Sequence, residues 1–315
     1  MITLRAIGRL AADYRSSAQA RQLAYLEHAQ EHFLLWMERE GLFDRKLGTS
    51  FKGGTAIRKF HLGGTGRFST DLDFAIADAY VAKHVIDALG AGFECEGVTF
   101  KLHGSVDSTG KLSTHGQWVA SVPGETGLGS TVPAKLDFSL HPVLLPTSPQ
   151  SRAHINTIDA DTLGFEPPCP PLFDLRENVA EKLCRTRRAL VARDVFDLAY
   201  FANEMREHLE LIREMVFLKV FGDVVHDSLG ERPFRGGEEY IGREVAALLG
   251  AAEMGSLTQP DPEWAELLER FGDIYGAGIG AARNEHEGRL AACNASDAYW
   301  HGLQLDAFVA RNRHA

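Results

Sequence analysis

Two spacings of apolar side chains recur along the first 200 residues of the chain. Between residues 17 and 40, apolar residues return at helical intervals and define one buried face of a helix: Leu23, Leu26, Phe33, Leu34 and Met37. From Asp71 to Ile76 every second residue is apolar, which predicts a strand with one face in the core. The run from Lys135 to Leu140 repeats this alternation. The chain is therefore predicted to mix helices with a sheet.

Turn residues delimit the other predicted elements. Strands are predicted over Leu47–Lys52, Phe93–His103, Gly116–Val122 and Val132–Leu140, the last three as an antiparallel meander. Helices are predicted over Ala56–Leu62, Tyr80–Leu89, Met205–Phe221, Glu238–Leu249, Pro262–Tyr275, Ala281–Ala292 and Ser296–Ala310. Seven of the twelve prolines lie between residues 142 and 171, which indicates an irregular crossing. We therefore predict a core with an N-terminal helix (1–145), a proline-rich crossing (146–171) and a helical domain that completes a cleft (172–315).

The stretch around the first alternating strand carries candidate chemistry. Gly53 and Gly54 stand between a predicted strand and a short helix that Thr55 can cap, an arrangement that turns backbone N–H groups toward an anion. Asp71 and Asp73 share the polar face of the next strand, roughly 6.5–7 Å apart at Cα. Carboxylates so spaced can hold the two Mg²⁺ ions that phosphoryl and nucleotidyl transfer use. Neither a P-loop nor a dinucleotide fingerprint is present.

A third carboxylate belongs to the second alternating run. Leu136, Phe138 and Leu140 can face the core while Asp137 points the other way. If this strand lies beside the strand of Asp71 and Asp73, three carboxylates meet on one wall. Asp71 and Asp73 would then bridge two Mg²⁺ ions, and Asp137 would bind the ion that activates the attacking hydroxyl.

The sequence Lys-Gly-Gly-Thr-Ala at residues 52–56, followed by Arg-Phe-Ser-Thr-Asp-Leu-Asp-Phe at residues 67–74, resembles the signature of the AbiEii/AbiGii toxin family. This family consists of bacterial nucleotidyltransferases and includes the MenT-type toxins. The resemblance implies an α+β fold, a polymerase-β-like core in which helices flank a mixed sheet, with a mainly helical C-terminal region. It also implies a set of nucleotide-binding residues: Lys52, Gly53, Gly54, Thr55, Arg67 and Ser69.

A second part of the resemblance lies in Glu181-Lys182-Leu183 and in Arg-Asp-x-x-Asp-Leu at residues 193–198. The family resemblance implies that Lys182 and an acid of the later helix are functional. A lysine beside a triphosphate would neutralise the charge that grows as pyrophosphate leaves. Asp194 or Asp197 could orient Lys182 or line the nucleotide pocket, and the sequence does not choose between them.

Charge and composition narrow the function classes. The 315 residues carry a net charge of −10, which argues against a protein that binds nucleic acid over its whole surface. Local basic clusters remain: Lys52, Arg58, Lys59 and Arg67, and further along Lys182, Arg185, Arg187, Arg188 and Arg193. No apolar run is long enough to span a membrane, so we expect a cytoplasmic protein. The four cysteines lack zinc-ribbon spacing, and we expect them to be reduced thiols of the core.

These features predict a Mg²⁺-dependent nucleotidyltransferase that moves a nucleoside monophosphate from an NTP to an acceptor hydroxyl. The resemblance implies the toxin of a toxin–antitoxin or phage-defence system, an antitoxin encoded nearby and the 3′ end of tRNA as acceptor. Three alternatives stay open. The core could modify a small molecule such as an antibiotic, His28 and His32 of an H-x-x-E-H pattern could build a zinc peptidase, or the chain could be a non-catalytic binding module.

Overall fold

The computed structural model describes residues 7–8, 20–63, 68–109, 113–124, 129–140, 143–149, 160–185, 192–226 and 306–312. The chain divides into two compact units. The first comprises residues 1–143 and 147–173, and the second comprises residues 144–146 and 174–315. The first unit thus takes up most of the proline-rich stretch that the sequence marked as a crossing.

The first unit contains four described helices: α1 (Ala20–Arg39), α2 (Gly53–Ile57), α3 (Ala79–Ala91) and α4 (Ala160–Leu163). Its nine described strands are β1 (Ser50–Lys52), β2 (Leu72–Ala75), β3 (Phe93–Cys95), β4 (Val98–Leu102), β5 (Asp107–Thr109), β6 (Ser113–Val122), β7 (Ser130–Ser139), β8 (Ser148–Pro149) and β9 (Pro171–Leu172). A 3₁₀ turn, Arg45–Leu47, precedes β1, and a π-helical turn, Arg58–Leu62, continues α2.

The described strands form one mixed sheet in the order β3-β4-β6-β7-β2-β1-β9-β8, with β5 paired to β6. β2 runs parallel to β7, and β1 runs parallel to β9, whereas the other described pairs are antiparallel. The expected adjacency of the two alternating strands is confirmed, since β2 and β7 are neighbours from Leu72 and Leu136 onward.

Alternation along the central strands builds the core. Phe51, Phe74 and Phe138 are cross-strand neighbours on β1, β2 and β7. The ring centroids lie 5.2 Å apart for Phe51 and Phe74 and 5.5 Å apart for Phe74 and Phe138. All three rings are buried. Such aromatic pairs stabilise a sheet by roughly 0.5–1.5 kcal/mol each beyond the apolar area that they bury. The residues that flank these phenylalanines along each strand therefore face the opposite side of the sheet.

The expected single strand over Phe93–His103 is wrong, because the chain turns within it. Glu96 and Gly97 have φ angles of 48° and 82°, in the left-handed region. Two consecutive residues with positive φ suit a tight hairpin whose twist matches the flanking strands. β3 and β4 consequently pair with each other, Phe93 opposite Phe100.

Helix α1 confirms the predicted N-terminal helix but not its predicted polar face. All of its residues from 24 to 37 are buried, including His28 and His32, each 2% exposed. Helical spacing puts both histidines roughly opposite the apolar stripe, where residues usually face the surface or a partner, but in the structure they are buried within the chain. One side of α1 packs on the sheet, while the other packs on the π-helical turn and on Phe165, whose ring centroid lies 4.9 Å from that of His32.

The described part of the second unit is helical: α5 (Leu175–Arg185), α6 (Ala192–Met205), α7 (Leu209–His226) and a segment at residues 306–311. The predicted helix from Met205 starts later, after a 3₁₀ turn at Arg206–His208. The helices predicted over Glu238–Leu249, Pro262–Tyr275 and Ala281–Ala292 lie outside the described residues, as does most of Ser296–Ala310.

A buried carboxylate connects α5 to the short piece of chain at residues 144–146. Glu177 accepts hydrogen bonds from the backbone N–H groups of Leu144 and Leu145, at 2.9 Å each, and lies 2.7 Å from Lys219 Nζ. Burial acts to lower the pKa of Lys219, but Glu177 and Glu181 raise it above its ordinary value. Lys219 is therefore charged in the folded protein.

In the described residues, no helix is both long and apolar enough to cross a bilayer. Cys95 and Cys184 are buried, and burial raises the pKa of the Cys95 thiol to about 11. Cys169 is exposed, which corrects the expectation that the cysteines all belong to the core.

Candidate active site

A row of polar residues crosses five neighbouring strands of the first unit. Each member is the Cα partner of the next: Lys52 on β1, Asp73 on β2, Asp137 on β7, His115 on β6 and Asp107 on β5. Directly paired residues point to the same face of a sheet. Because the phenylalanine row occupies the other face, this polar row stands on the face away from that core. The register thus places two of the predicted carboxylates, Asp73 and Asp137, side by side.

Gly53 lies close to the Asp73 carboxylate. Its φ is +76°, and a Cβ built on it would stand 2.1 Å from Asp73 Oδ2. A side chain here would meet both a strained backbone and the carboxylate itself. Gly53 begins α2 directly after Lys52, so the strand-to-helix turn and the Asp73 carboxylate share one space. The predicted combination of glycine turn and aspartate is therefore present in the fold.

Asp71 stands just before β2 and is half-buried. Its carboxylate accepts a hydrogen bond from Thr70 Oγ1 at 2.9 Å, and its backbone carbonyl accepts one from Thr55 Oγ1 at 2.5 Å. Thr55 does not cap the helix as predicted, because α2 already starts at Gly53 and Lys52 is its N-cap residue. Thr55 instead ties α2 to the segment that carries Asp71.

The segment before Asp71 is also held by α1. Gln30 Nε2 donates to the carbonyl oxygens of Ser69 and Thr70, each at 3.2 Å. Gln30 is buried, and no sequence motif marks it. The predicted nucleotide-binding residue Ser69 thus lies in a segment fixed from two sides, while Arg67 lies outside the described residues.

Lys52 is 8% exposed, and its ammonium lies 5.6 Å from the centroid of the Phe173 ring. This distance allows a cation–π contact, which stabilises a charged ammonium in a desolvated position. Lys52 is the direct cross-strand partner of Asp73. The row therefore begins with a cation on the strand next to that of Asp73.

Asp137 contacts a residue that the sequence analysis missed. His115 Nδ1 lies 2.8 Å from Asp137 Oδ2, and Ser139 Oγ lies 3.4 Å from Oδ1. His115 escaped notice because the strand was predicted to begin at Gly116, three residues too late, whereas β6 begins at Ser113. With the strand starting at Ser113, the alternation would have placed His115 on the face opposite to Trp118 and would have drawn attention to it.

Lys182, Asp194 and Asp197 come together in the second unit, and all three are buried. Lys182 Nζ lies 3.3 Å from Asp194 Oδ1 and 2.8 Å from Asp197 Oδ2. Arg185 Nε lies 3.6 Å from the other Asp194 oxygen. Sequence left open which aspartate accompanies the lysine, and in the structure both do.

Two members of the first predicted basic cluster are buried ion-pair partners. Lys59 Nζ lies 2.8 Å from Glu31 Oε1, and Arg58 Nη2 lies 3.3 Å from Glu27 Oε2. Lys59 is completely buried, and Arg58 is 5% exposed. The expectation of a surface cluster at these positions is wrong, because they supply the countercharges for the acidic side of α1.

The histidine pair of α1 does not have the features of a metal centre. Burial, followed by the neighbouring His32, lowers the pKa of His28 to about 3, and burial also lowers the pKa of His32. His32 Nδ1 lies 2.8 Å from the carbonyl oxygen of His28, so it donates to that oxygen. Within the described stretches, no three His, Cys, Asp or Glu side chains form a ready-made metal cage.

A Mg²⁺ site at the polar row does not need such a cage of protein side chains. Mg²⁺ prefers oxygen ligands and is usually held by one or two carboxylates together with water and substrate phosphates, rather than by a cage made of protein alone. Asp73 and Asp137 supply such oxygens in register on adjacent strands, and Asp71 precedes Asp73 by two residues. The three carboxylates form an all-oxygen donor set, which fits Mg²⁺.

A mixed sheet with a glycine turn over one aspartate, and a second aspartate in register beside it, fits the nucleotidyltransferase class of enzymes. A family model described as "Nucleotidyl transferase AbiEii toxin, Type IV TA system" matches residues 40–272. The chain therefore belongs to the AbiEii family of nucleotidyltransferase toxins from type IV toxin–antitoxin systems. The predicted enzyme class is confirmed, and the zinc-peptidase and non-catalytic alternatives are overturned by this membership.

A solved structure supports the same assignment. The chain is similar to MenT4, a nucleotidyltransferase toxin from Mycobacterium tuberculosis H37Rv, with 28% identity over 98% of each chain and a TM-score of 0.65. No curated protein sequence matches the chain. The predicted fold class, a mixed sheet flanked by helices, is confirmed by this structural match.

Proposed function

We propose that this toxin transfers a nucleoside monophosphate from an NTP to the 3′ end of tRNA in a Mg²⁺-dependent reaction. Family membership gives the nucleotidyltransferase activity, the NTP substrate and an antitoxin partner. The metal, the acceptor and the roles of individual residues are our proposal. The observation that carries it is the register of Asp73 with Asp137, beside the Gly53 turn.

The first unit would hold the metal and the triphosphate. Asp71, Asp73 and Asp137 would supply the metal's carboxylate oxygens, and Mg²⁺ bound there would stabilise the attacking and leaving oxygens of an in-line displacement. The turn at Gly53–Thr55 would present backbone N–H groups to the phosphates. Lys52, buried next to Asp73, would balance the charge of the row and of the substrate. Ser69 and Arg67 complete the proposed nucleotide-binding set.

Lys182 would neutralise charge on the departing pyrophosphate, as the family resemblance implies. Its two aspartate neighbours hold the ammonium and would orient it rather than bind the nucleotide. A fixed, partly desolvated cation acts more strongly on developing charge than a mobile one, because no reorganisation is needed during the reaction.

Within the described residues, support for an RNA acceptor comes from the second unit. Arg58 and Lys59 are buried and therefore cannot bind an RNA backbone. Arg185, at the end of α5, and Arg193, near the start of α6, are exposed. Exposed arginines suit an RNA backbone. A small-molecule acceptor such as an antibiotic remains the second candidate, since the polar row would serve either acceptor.

The test is a labelling assay. The purified chain is incubated with each α-labelled NTP and MgCl₂, with tRNA, with total RNA lacking tRNA, or without RNA, and the products are sized. We expect label in a tRNA-sized band, loss of label when EDTA replaces Mg²⁺, and loss of label for Asp73→Asn. Asp87→Asn, a matched exposed aspartate on α3, should label like the parent. Label that appears without RNA would overturn the acceptor and favour the small-molecule candidate.

The biological part of the proposal concerns the antitoxin. Residues 231–315 contain fourteen acids against eight arginines, and this stretch would offer a docking surface to a basic antitoxin. Almost all of it lies outside the described residues. Expression of the parent should arrest bacterial growth and Asp71→Ala should not, and charge reversal within residues 231–315 should weaken neutralisation by the antitoxin. Equal arrest by the parent and by Asp71→Ala would mean that toxicity arises without catalysis.

A further inference from the structure

His115 occupies a position in the polar row that no motif assigns. It is the Cα partner of Asp137 in the antiparallel ladder between β6 and β7, which runs from Ser113 opposite Ser139 to Val122 opposite Ser130. A ladder of this length fixes the register of the two strands, because a shift by one residue would expose every buried side chain of β6. The imidazole is therefore held opposite Asp137 by the sheet itself.

The contact between the two side chains is short and directional. His115 Nδ1 lies 2.8 Å from Asp137 Oδ2, within the range of a strong hydrogen bond to a carboxylate. Ser139 Oγ lies 3.4 Å from Oδ1, near the limit of hydrogen bonding. His115 therefore holds one oxygen of Asp137 much more firmly than any described neighbour holds the other.

This asymmetry matters for a carboxylate that must bind a metal. An aspartate on a strand can rotate about its terminal bond, and an outer partner that holds one oxygen presents the other in a fixed direction. Both side chains are partly exposed, 42% for His115 and 31% for Asp137, so solvent would otherwise leave the carboxylate free to turn. In the described part of the chain, Asp137 is the hydrogen-bonding partner that the structure gives to His115.

We propose that His115 is a positioning residue: its Nδ1–H holds Asp137 Oδ2 and thereby directs Oδ1 toward the metal beside Asp73. This inference rests on the proposed function, because it assumes that Asp137 binds a divalent metal. It adds a residue to the site that the sequence motifs do not mark. The histidine touches neither substrate nor metal in this arrangement.

The test compares His115→Ala, His115→Asn and a matched control, His103→Ala. His103 is an exposed histidine just after β4 with no carboxylate contact among the described residues. Asparagine keeps an N–H donor near the position of Nδ1, whereas alanine removes it. Binding of Mn²⁺ to each purified chain is measured by electron paramagnetic resonance, and the Mg²⁺ concentration for half-maximal nucleotide transfer is measured in parallel.

We expect His115→Ala to weaken Mn²⁺ binding by about 10-fold or more, because the loss of a residue that holds a metal ligand commonly has an effect of this size. His115→Asn should stay within about threefold of the parent, and His103→Ala should equal it. Equal Mn²⁺ affinity for the parent and His115→Ala would overturn the inference, and so would an equal loss for alanine and asparagine. A parent that binds Mn²⁺ but transfers no nucleotide would refute the proposed function instead, so the two failures are distinguishable.

Discussion

Replacing Gly53 by alanine tests whether the strand-to-helix turn and the Asp73 carboxylate form one site. The added Cβ would stand 2.1 Å from Asp73 Oδ2, whereas ordinary van der Waals contact begins at 3.4 Å. The carboxylate must therefore move by about 1.3 Å, the difference between these distances. Displacements of this size at a catalytic group lower rates by about 10²-fold, which corresponds to about 2.7 kcal/mol of transition-state stabilisation.

The backbone contributes a separate cost. At φ +76°, alanine is strained by about 1–2 kcal/mol relative to glycine. Gly104 provides a matched control, because its φ is also +76° and a Cβ there meets no atom within 4 Å. Gly104→Ala should lose the same 1–2 kcal/mol of stability while transferring nucleotide at the parental rate.

The assay has two parts. Urea unfolding is monitored by tryptophan fluorescence, and initial rates of nucleotide transfer are measured at saturating Mg²⁺. We expect Gly53→Ala to be destabilised at least as much as Gly104→Ala, and Gly53→Ala alone to lose activity. If Gly53→Ala transfers within about threefold of Gly104→Ala, the close approach of Gly53 to Asp73 has no functional meaning. A large loss of activity in Gly104→Ala would instead show that backbone strain is transmitted to the site.

Three further predictions concern buried charges and use urea unfolding as the measurement. Lys182→Ala should destabilise the chain by about 3–5 kcal/mol, because it leaves two buried carboxylates without their ammonium, and a variant as stable as the parent would contradict the observed pairing. Lys59→Met should cost about as much, while Lys83→Met, at an exposed pair, should change little. The pKa of His28, lowered to about 3, lies below its unfolded value of 6.5, so stability should fall as the pH drops below about 6.5. The loss should reach about 2 kcal/mol at pH 5, and His28→Gln should remove most of it.

The prediction for Lys182 differs from what sequence alone suggests. Seen as part of a basic helix, the lysine could be removed without harm to the fold. The structure shows it buried against Asp194 and Asp197, so its loss affects stability as well as chemistry. An activity measurement on Lys182→Ala therefore needs a parallel measurement of the folded fraction.

Much of the first unit could be predicted from sequence because strand alternation is a local signal. The alternation around Asp73 and Asp137 indicated two strands with carboxylates on one face, and the register bears this out. The glycine pair was recognisable for a similar reason, since Gly53 must adopt a positive φ directly beside a strand. Both signals are contained in fewer than ten residues.

The burial of α1 could not be predicted, because it depends on residues far away in the chain. Its apolar stripe indicated one buried face, and the histidines on the other side looked exposed. The π-helical turn covers that side, and Lys59 provides a countercharge for Glu31 from 28 residues further along. The sequence shows that a helix carries a charged residue, but it does not show which residue of another element forms an ion pair with it.

His115 was missed for a different reason. Boundaries are the least certain part of a strand prediction, and a start three residues late left the histidine in a loop. Its contact with Asp137 also depends on which strands pair, which local spacing does not reveal.

The most direct measurement of the central claim is the fate of the NTP phosphates. Parallel reactions receive an NTP labelled at the α or at the γ phosphate, with the parent chain, Asp73→Asn and Asp87→Asn. Nucleotidyl transfer at the polar row predicts that α label enters the acceptor, that γ label leaves in pyrophosphate, and that Asp73→Asn does neither while Asp87→Asn equals the parent. Transfer of γ label to the acceptor, or undiminished transfer of α label by Asp73→Asn, would contradict the account.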